Sequence, residues 1–205
     1  MFQPTNFEMI EEYKVAGDAL NDVALRVQQI LIGMQVYKDK LEEAGAALPD
    51  LHISGYDLNE IPVMWGSGKT PEYLAANIKK SITFTLLNAL NCHLYLLDGF
   101  LVRIAKRYFN LTVEDNGEWV TPEVFHLATG IDLTKLIHWD AIEDMTRYAN
   151  GVRNMKKTLS INVSDYFELH SKIMIFLTEL SITVSEKMNE KKKLEGSEGL
   201  SGKEE

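Results

Sequence analysis

From Asn6 to Ala44 apolar residues recur at alternating spacings of three and four: Tyr13, Ala16, Leu20, Val23, Val27, Ile30, Met34, Tyr37 and Leu41. That period predicts one long α-helix with a heptad-like apolar seam. Asn6 suits the N-cap, and Glu8, Glu11 and Glu12 lie near the positive end of the helix dipole. Gly45 and Pro49 close the helix. A seam of this length must be covered, because helical stability comes mainly from packing an amphipathic face. The cover is either a second helix of the same chain, in an antiparallel hairpin, or another copy in a coiled coil.

The stretch from Thr70 to Phe109 offers such a second helix. Leu74, Ile78, Ile82, Leu86, Leu87, Leu90, Leu94, Leu97, Phe100, Leu101, Ile104 and Tyr108 put apolar residues on most of its faces. A helix apolar nearly all round belongs at the centre of a bundle. Thr70-Pro71-Glu72 starts it, with threonine as N-cap and proline at the first helical position. It nearly matches the first helix in length, so the two can pair antiparallel. Ser81 to Leu97 is its most apolar part. That part carries Thr, Asn, Cys and His and stops at Asp98, short of a membrane span of about 20 residues. It reads as a buried core helix, and no membrane partner is expected. His93 reads as a core histidine with satisfied ring nitrogens, or else as a ligand or catalytic group.

Between these helices, Gly45 to Lys69 is a long connection that also carries Leu51, Ile53, Tyr56, Leu58, Ile61, Val63, Met64 and Trp65. Such a loop packs back on the domain or meets a partner. Trp65-Gly-Ser-Gly-Lys-Thr70 resembles the end of a phosphate-binding loop. The full motif needs glycine where this chain has Val63 and a strand where it has Pro62, so nucleotide binding is not expected. After Phe109, Asn116-Gly117 breaks the chain, Thr121-Pro122-Glu123 starts a short helix ending at Gly130, and a further short stretch covers Asp132 to Ile137. Trp139 to Lys157 forms a helix with Ile142, Met145, Ala149 and Val152 inward. Asp165-Tyr-Phe-Glu168 resembles a capping box opening the last helix, whose stripe runs from Tyr166 to Met188. From Glu190 the chain is mostly Lys, Glu, Gly and Ser, a composition that predicts disorder. The expected architecture is all-α: residues 1–189 form a four-helix bundle of two long antiparallel helices, two shorter helices and a long decorated loop, and 190–205 form a disordered tail.

A net charge of -9 argues against a general nucleic-acid or anionic-membrane binder, which needs clustered Lys and Arg. The single Cys92 excludes an internal disulfide and a cysteine-based zinc site. Met1 to Asn6 has no basic signal region. These features lead to the expectation of a cytoplasmic chain without metal or cofactor. Against the acidic background, Arg147 to Thr158 holds four cations (Arg147, Arg153, Lys156 and Lys157) and no acid. Asn150 and Asn154, spaced i, i+4, lie on one helix face. Arg147, Asn150, Arg153, Asn154, Lys156 and Lys157 are therefore the candidate binding residues. Cations near a helix C-terminus also follow from the dipole alone. Beyond that, the stretch can contact phosphate or RNA, or dock a protein.

Ala149-Asn150-Gly-Val-Arg153-Asn154 and Arg153-Asn154-Met-Lys-Lys-Thr158, at the end of a third helix behind two long ones, resemble the motif of HEPN domains. As a helix pattern the resemblance covers Thr70 to Lys187; as a motif it covers about ten residues. It implies a helical module, often dimeric, in bacterial or phage defence or a toxin–antitoxin system. Ribonuclease activity in that family rests on Arg followed four to six residues later by His. No Arg here has a His in that window; Thr158 stands there after Arg153, and Asn154 stands where the phrase beginning Ala149-Asn150 would have its His. Neither titrates usefully, so no catalytic residue is assigned. The resemblance implies a non-catalytic binding or regulatory module, with a homodimer or protein partner and RNA as a further ligand. The alternatives are a metal-independent ribonuclease with an altered motif and an acidic immunity or inhibitor protein that masks a partner.

Overall fold

The computed structural model describes the backbone of residues 6–43, 52–53, 56–57, 71–109, 121–153 and 161–201. Their fold is all-α. In chain order the helices are α1 (Asn6–Glu43), α2 (Pro71–Phe109), α3 (Pro122–Thr129), α4 (Trp139–Arg153) and α5 (Val163–Ser201). A 3-10 turn, Leu133–Lys135, stands between α3 and α4. Within the long connection, β1 (His52–Ile53) pairs antiparallel with β2 (Tyr56–Asp57), two residues each. The phosphate-loop-like phrase ending at Thr70 lies outside the described residues.

Helix α2 touches all four other helices. That central place is the physical cause of its all-round apolar composition: Leu86, Leu90, Phe100, Ile104 and Ala105 are fully buried. By length and composition Ser81–Phe109 is also apolar enough to cross a membrane, and half of its window is buried inside the chain. α1 runs antiparallel to α2, since Tyr13 near its start meets Phe100 edge-on at 4.7 Å and Glu12 pairs with Arg107. α1 is likewise antiparallel to α5. Tyr13 Oη donates to the Leu180 carbonyl at 3.4 Å, and Asn21 meets His170. Between these contacts Gly17 lets α5 approach closely: a Cβ there would stand 3.4 Å from Met174 Cε.

The α1 seam departs from the heptad. Its buried residues are Met9, Tyr13, Ala16, Leu20, Ala24 and Val27, with Leu31 packed beside them. Val23 is only partly buried, and Ile30 is exposed. A straight helix turns every 3.6 residues, so a 3.5-residue repeat drifts off the contact face after a few turns. The contact line follows the straight helix: Ala24 joins Val23 at the core, and Leu31 takes the place of Ile30.

Two further expectations need correction. The last helix is not short: α2 and α5 are 39 residues each. α5 also continues to Ser201, through the stretch expected to be disordered from Glu190. Glu and Lys are strong helix formers, so the backbone stays helical after the apolar stripe ends at Met188. Residues 189–193 are exposed, as their composition requires.

Local signals set the shorter elements. Thr121 caps α3, its side chain accepting from the Val124 N–H at 3.3 Å, and Pro122 takes the first position. Gly130 ends α3 in the left-handed conformation (φ 72°), which glycine adopts without a Cβ penalty. His138 also has a left-handed φ, 63°, at the corner leading into α4. The cap of α5 is Asn162 and not Asp165: Asn162 Oδ1 accepts from the Asp165 N–H at 2.8 Å. Asp165 instead lies in the first turn, near the positive end of the dipole. Asn162→Ala is expected to cost about 1 kcal/mol, read as a lowered midpoint in urea unfolding. An unchanged midpoint would mean that the cap does not hold in solution.

Candidate binding cleft

Helices α2 and α4 pack against each other at their inner faces. Inward, α4 contributes Ala141, Ile142, Met145 and Ala149, all buried. The adjoining stripe, Trp139, Glu143, Thr146 and Asn150, advances in steps of three and four and so stays on one side of the helix, with Arg147 beside it. It faces Leu94, Leu97, Asp98 and Leu101 of α2, which share the same spacing. Between the two stripes lies a cleft of about 660 Å³, with Thr121, Pro122 and Leu133 also on its lining. Its floor is apolar and its rim polar.

The rim groups already have local partners. Trp139 Nε1 donates to Glu143 Oε1 at 3.1 Å. Thr146 Oγ1 donates back to the Ile142 carbonyl at 2.8 Å. The Arg147 guanidinium pairs with Asp144 at 2.8 Å and lies 5.6 Å from the Tyr148 ring centroid. The Arg147 side chain keeps 65% of its surface exposed, so the cleft is an open groove on this side. Asn150 is exposed at the same wall.

Two of the six candidate residues, Arg147 and Asn150, therefore share this cleft. Arg153 ends α4, but its side chain lies outside the described residues, as do Asn154, Lys156 and Lys157. Sequence reasoning missed the α2 wall. Leu94, Leu97 and Leu101 carry the signature of core residues and are buried, and only their place beside α4 puts them on the lining of the cleft. No group of three or more His, Cys, Asp or Glu residues suited to a metal occurs among the described residues.

A second polar cluster joins three helices, running from the core at His93 through half-buried His170 to exposed Asn21. The Nδ1 of His93 lies 2.8 Å from the Ala89 carbonyl, which can only accept, so Nδ1 carries the proton. Burial pushes the His93 pKa down to about 4, so its ring is neutral at pH 7 and Nε2 is an acceptor. His170 Nδ1 stands 3.0 Å from that Nε2 and must donate to it. His170 Nε2 in turn meets Asn21 Oδ1 at 3.1 Å. An imidazolium donates to Oδ1, whereas a neutral ring requires the amide turned over, with its nitrogen donating. Burial lowers the His170 pKa as well. The Tyr166 ring packs edge-on to His93 at 5.9 Å. His93 is thus a core histidine with both ring nitrogens engaged.

Comparison with protein-family models, curated proteins and solved structures finds no match.

Proposed function

We propose that the chain is a non-catalytic, HEPN-like helical binding module that uses the α2–α4 cleft as its recognition site. The observation that carries this reading is the convergence of Arg147 and Asn150 on the wall of an apolar cleft. An apolar floor with a few polar groups at its edge is the usual make-up of a recognition site. Among the described residues the cleft lining holds Arg147 and Asn150 as hydrogen-bond donors, which can bind a ligand, whereas phosphodiester chemistry needs a titrating group beside the reacting hydroxyl. The module acts in the cytoplasm, in a bacterial or phage defence or toxin–antitoxin setting, as the HEPN resemblance implies. It works as a homodimer or with a protein partner. The exposed Leu25, Ile32 and Val36, on one outer stripe of α1, support a further protein contact.

The test is a ribonuclease assay of the wild-type chain beside Arg147→Ala and Arg153→Ala, with light scattering on the same samples. Equal absence of cleavage in all three is expected. Cleavage by the wild type that either substitution abolishes would replace this reading with the altered-motif ribonuclease. A monomer at micromolar concentration would remove the homodimer.

A further inference from the structure

Resting on the homodimer of the proposed reading, we infer that the two copies meet through the outer face of α2. They pair antiparallel about a two-fold axis between Asn88 and Asn91, with Phe84 of each copy on Tyr95 of the other.

Composition sets this face apart. Ser81, Phe84, Asn88, Asn91 and Tyr95 follow one another at steps of three and four, so they share one side of the helix. None of them is buried. Phe84 and Tyr95 keep 64% and 73% of their surface exposed. From Ser81 to Leu97 there is no Asp, Glu, Lys or Arg, in a chain where these make up 25% of the residues. Aromatic residues without Lys, Asp or Glu are the make-up of an interface core and not of a solvated surface. Asn91 Oδ1 has no hydrogen-bond partner within the chain, so the amide is incompletely satisfied in a single copy.

The same groups select a second copy as the occupant. A partner chosen by charge finds no ion pair on this face, so neither an RNA backbone nor a strongly charged helix gains from it. Each group here is complementary to its own kind. An asparagine amide both donates and accepts, and aromatic rings pair edge to face. The net charge of -9 sets copies against each other, and an uncharged face lets them touch without adding like-charge contacts. In a two-fold pair, residue i meets j and j meets i. Phe84 and Tyr95 stand equally far from the midpoint of Asn88 and Asn91, so one axis brings ring on ring at both ends and amide on amide between them. The ends are about 16 Å apart along the helix. At roughly 200 Å² per aromatic side chain, covering Phe84 and Tyr95 in both copies removes about 550 Å². That is nearly half of the roughly 1,200 Å² at which stable interfaces begin. Ser81, Thr85, Asn88 and Cys92 of the same side, none of them buried, supply the rest.

The experiment is sedimentation equilibrium of the full chain at micromolar concentration. The wild type is expected to be a dimer. Tyr95→Glu, which alters two contacts per dimer, is expected to weaken it at least about a hundredfold, equivalent to about 2.7 kcal/mol. Adding Phe84→Lys to Tyr95→Glu should restore much of the affinity, because each Glu then faces a Lys of the other copy. Within one chain the two positions are too far apart to pair. Leu25→Glu, on the outer stripe of α1, should leave the dimer unchanged. A monomeric wild type would overturn the inference and leave the cleft, with a partner of another kind, standing. A dimer lost with Leu25→Glu and kept with Tyr95→Glu would move the interface to α1, overturning this face but not the homodimer. A dimer that survives both substitutions would overturn the face as well. If Tyr95→Glu dissociates the dimer and the double variant recovers nothing, the pairing of Phe84 with Tyr95 falls.

Discussion

Between pH 7 and pH 4 the protein loses about 3 kcal/mol of stability through His93. The ring is fully buried on α2, and burial lowers its pKa from 6.5 to about 4. The nearby His170 lowers it further, and the Ala89 carbonyl opposes the shift. The sign follows from proton binding. Below pH 6.5 the unfolded chain protonates this histidine while the folded chain does not, so acid favours unfolding. The stabilisation is complete above pH 6.5, erodes as the pH falls toward 4, and is gone below that. Once the pH is well under 6.5, the slope from one such group approaches about 1.4 kcal/mol per pH unit. His170, lowered by burial, shifts stability in the same direction. A proton on His170 is accommodated by Asn21 Oδ1, but a proton on His93 removes the only acceptor for His170 Nδ1. Protonation of His93 thus breaks its hydrogen bond to His170 between α2 and α5. Urea unfolding at intervals from pH 7 to 5, where carboxylates contribute little, isolates the effect. Wild-type stability that stays level over that range would refute it, and His93→Leu is expected to flatten most of the slope.

Phe100→Ala costs about 4 kcal/mol, the range for emptying a fully buried aromatic site. Phe100 is fully buried on α2 and meets Tyr13 of α1 edge-on. That aromatic contact contributes about 1 kcal/mol of the loss. Tyr13 also donates to the Leu180 carbonyl of α5, so the cavity opens where three long helices meet. Phe100→Leu should recover more than half of the loss, because it refills most of the volume. Equilibrium urea unfolding measures both variants. A loss under about 1 kcal/mol for alanine would mean that the three helices do not meet at Phe100 in solution.

The helices themselves were legible because their signals are local. Apolar spacing, Thr121-Pro122 and Gly130 act within a turn or two of the residues they order. The α4 stripe was legible for the same reason: residues three and four apart on a helix lie side by side whatever surrounds them. Arg147 and Asn150 could be grouped on that basis before their surroundings were known. Errors arose where two signals competed. Asp165 with Glu168 resembled a capping box, but Asn162, one turn earlier, makes the bond. The Glu- and Lys-rich end of α5 has too few apolar residues to pack and enough propensity to remain helical.

The sequence by itself determined an all-α chain, both ends of α3, the start of α4, and a central place for α2. Tertiary structure decided where the α1 contact line leaves the heptad, because a straight helix drifts from it and turns Ile30 to solvent while Leu31 packs on the core. It also decided the cleft. Leu94, Leu97 and Leu101 look like core in any one-dimensional reading and are buried, and only the packing of α4 beside them places them on the lining of the cleft. The histidine cluster has the same origin. His93 and His170 are 77 positions apart, and His170 and Asn21 are 149 apart. No local pattern encodes those meetings; they exist because α1, α2 and α5 pack in one register, fixed by the apolar surface that the register buries.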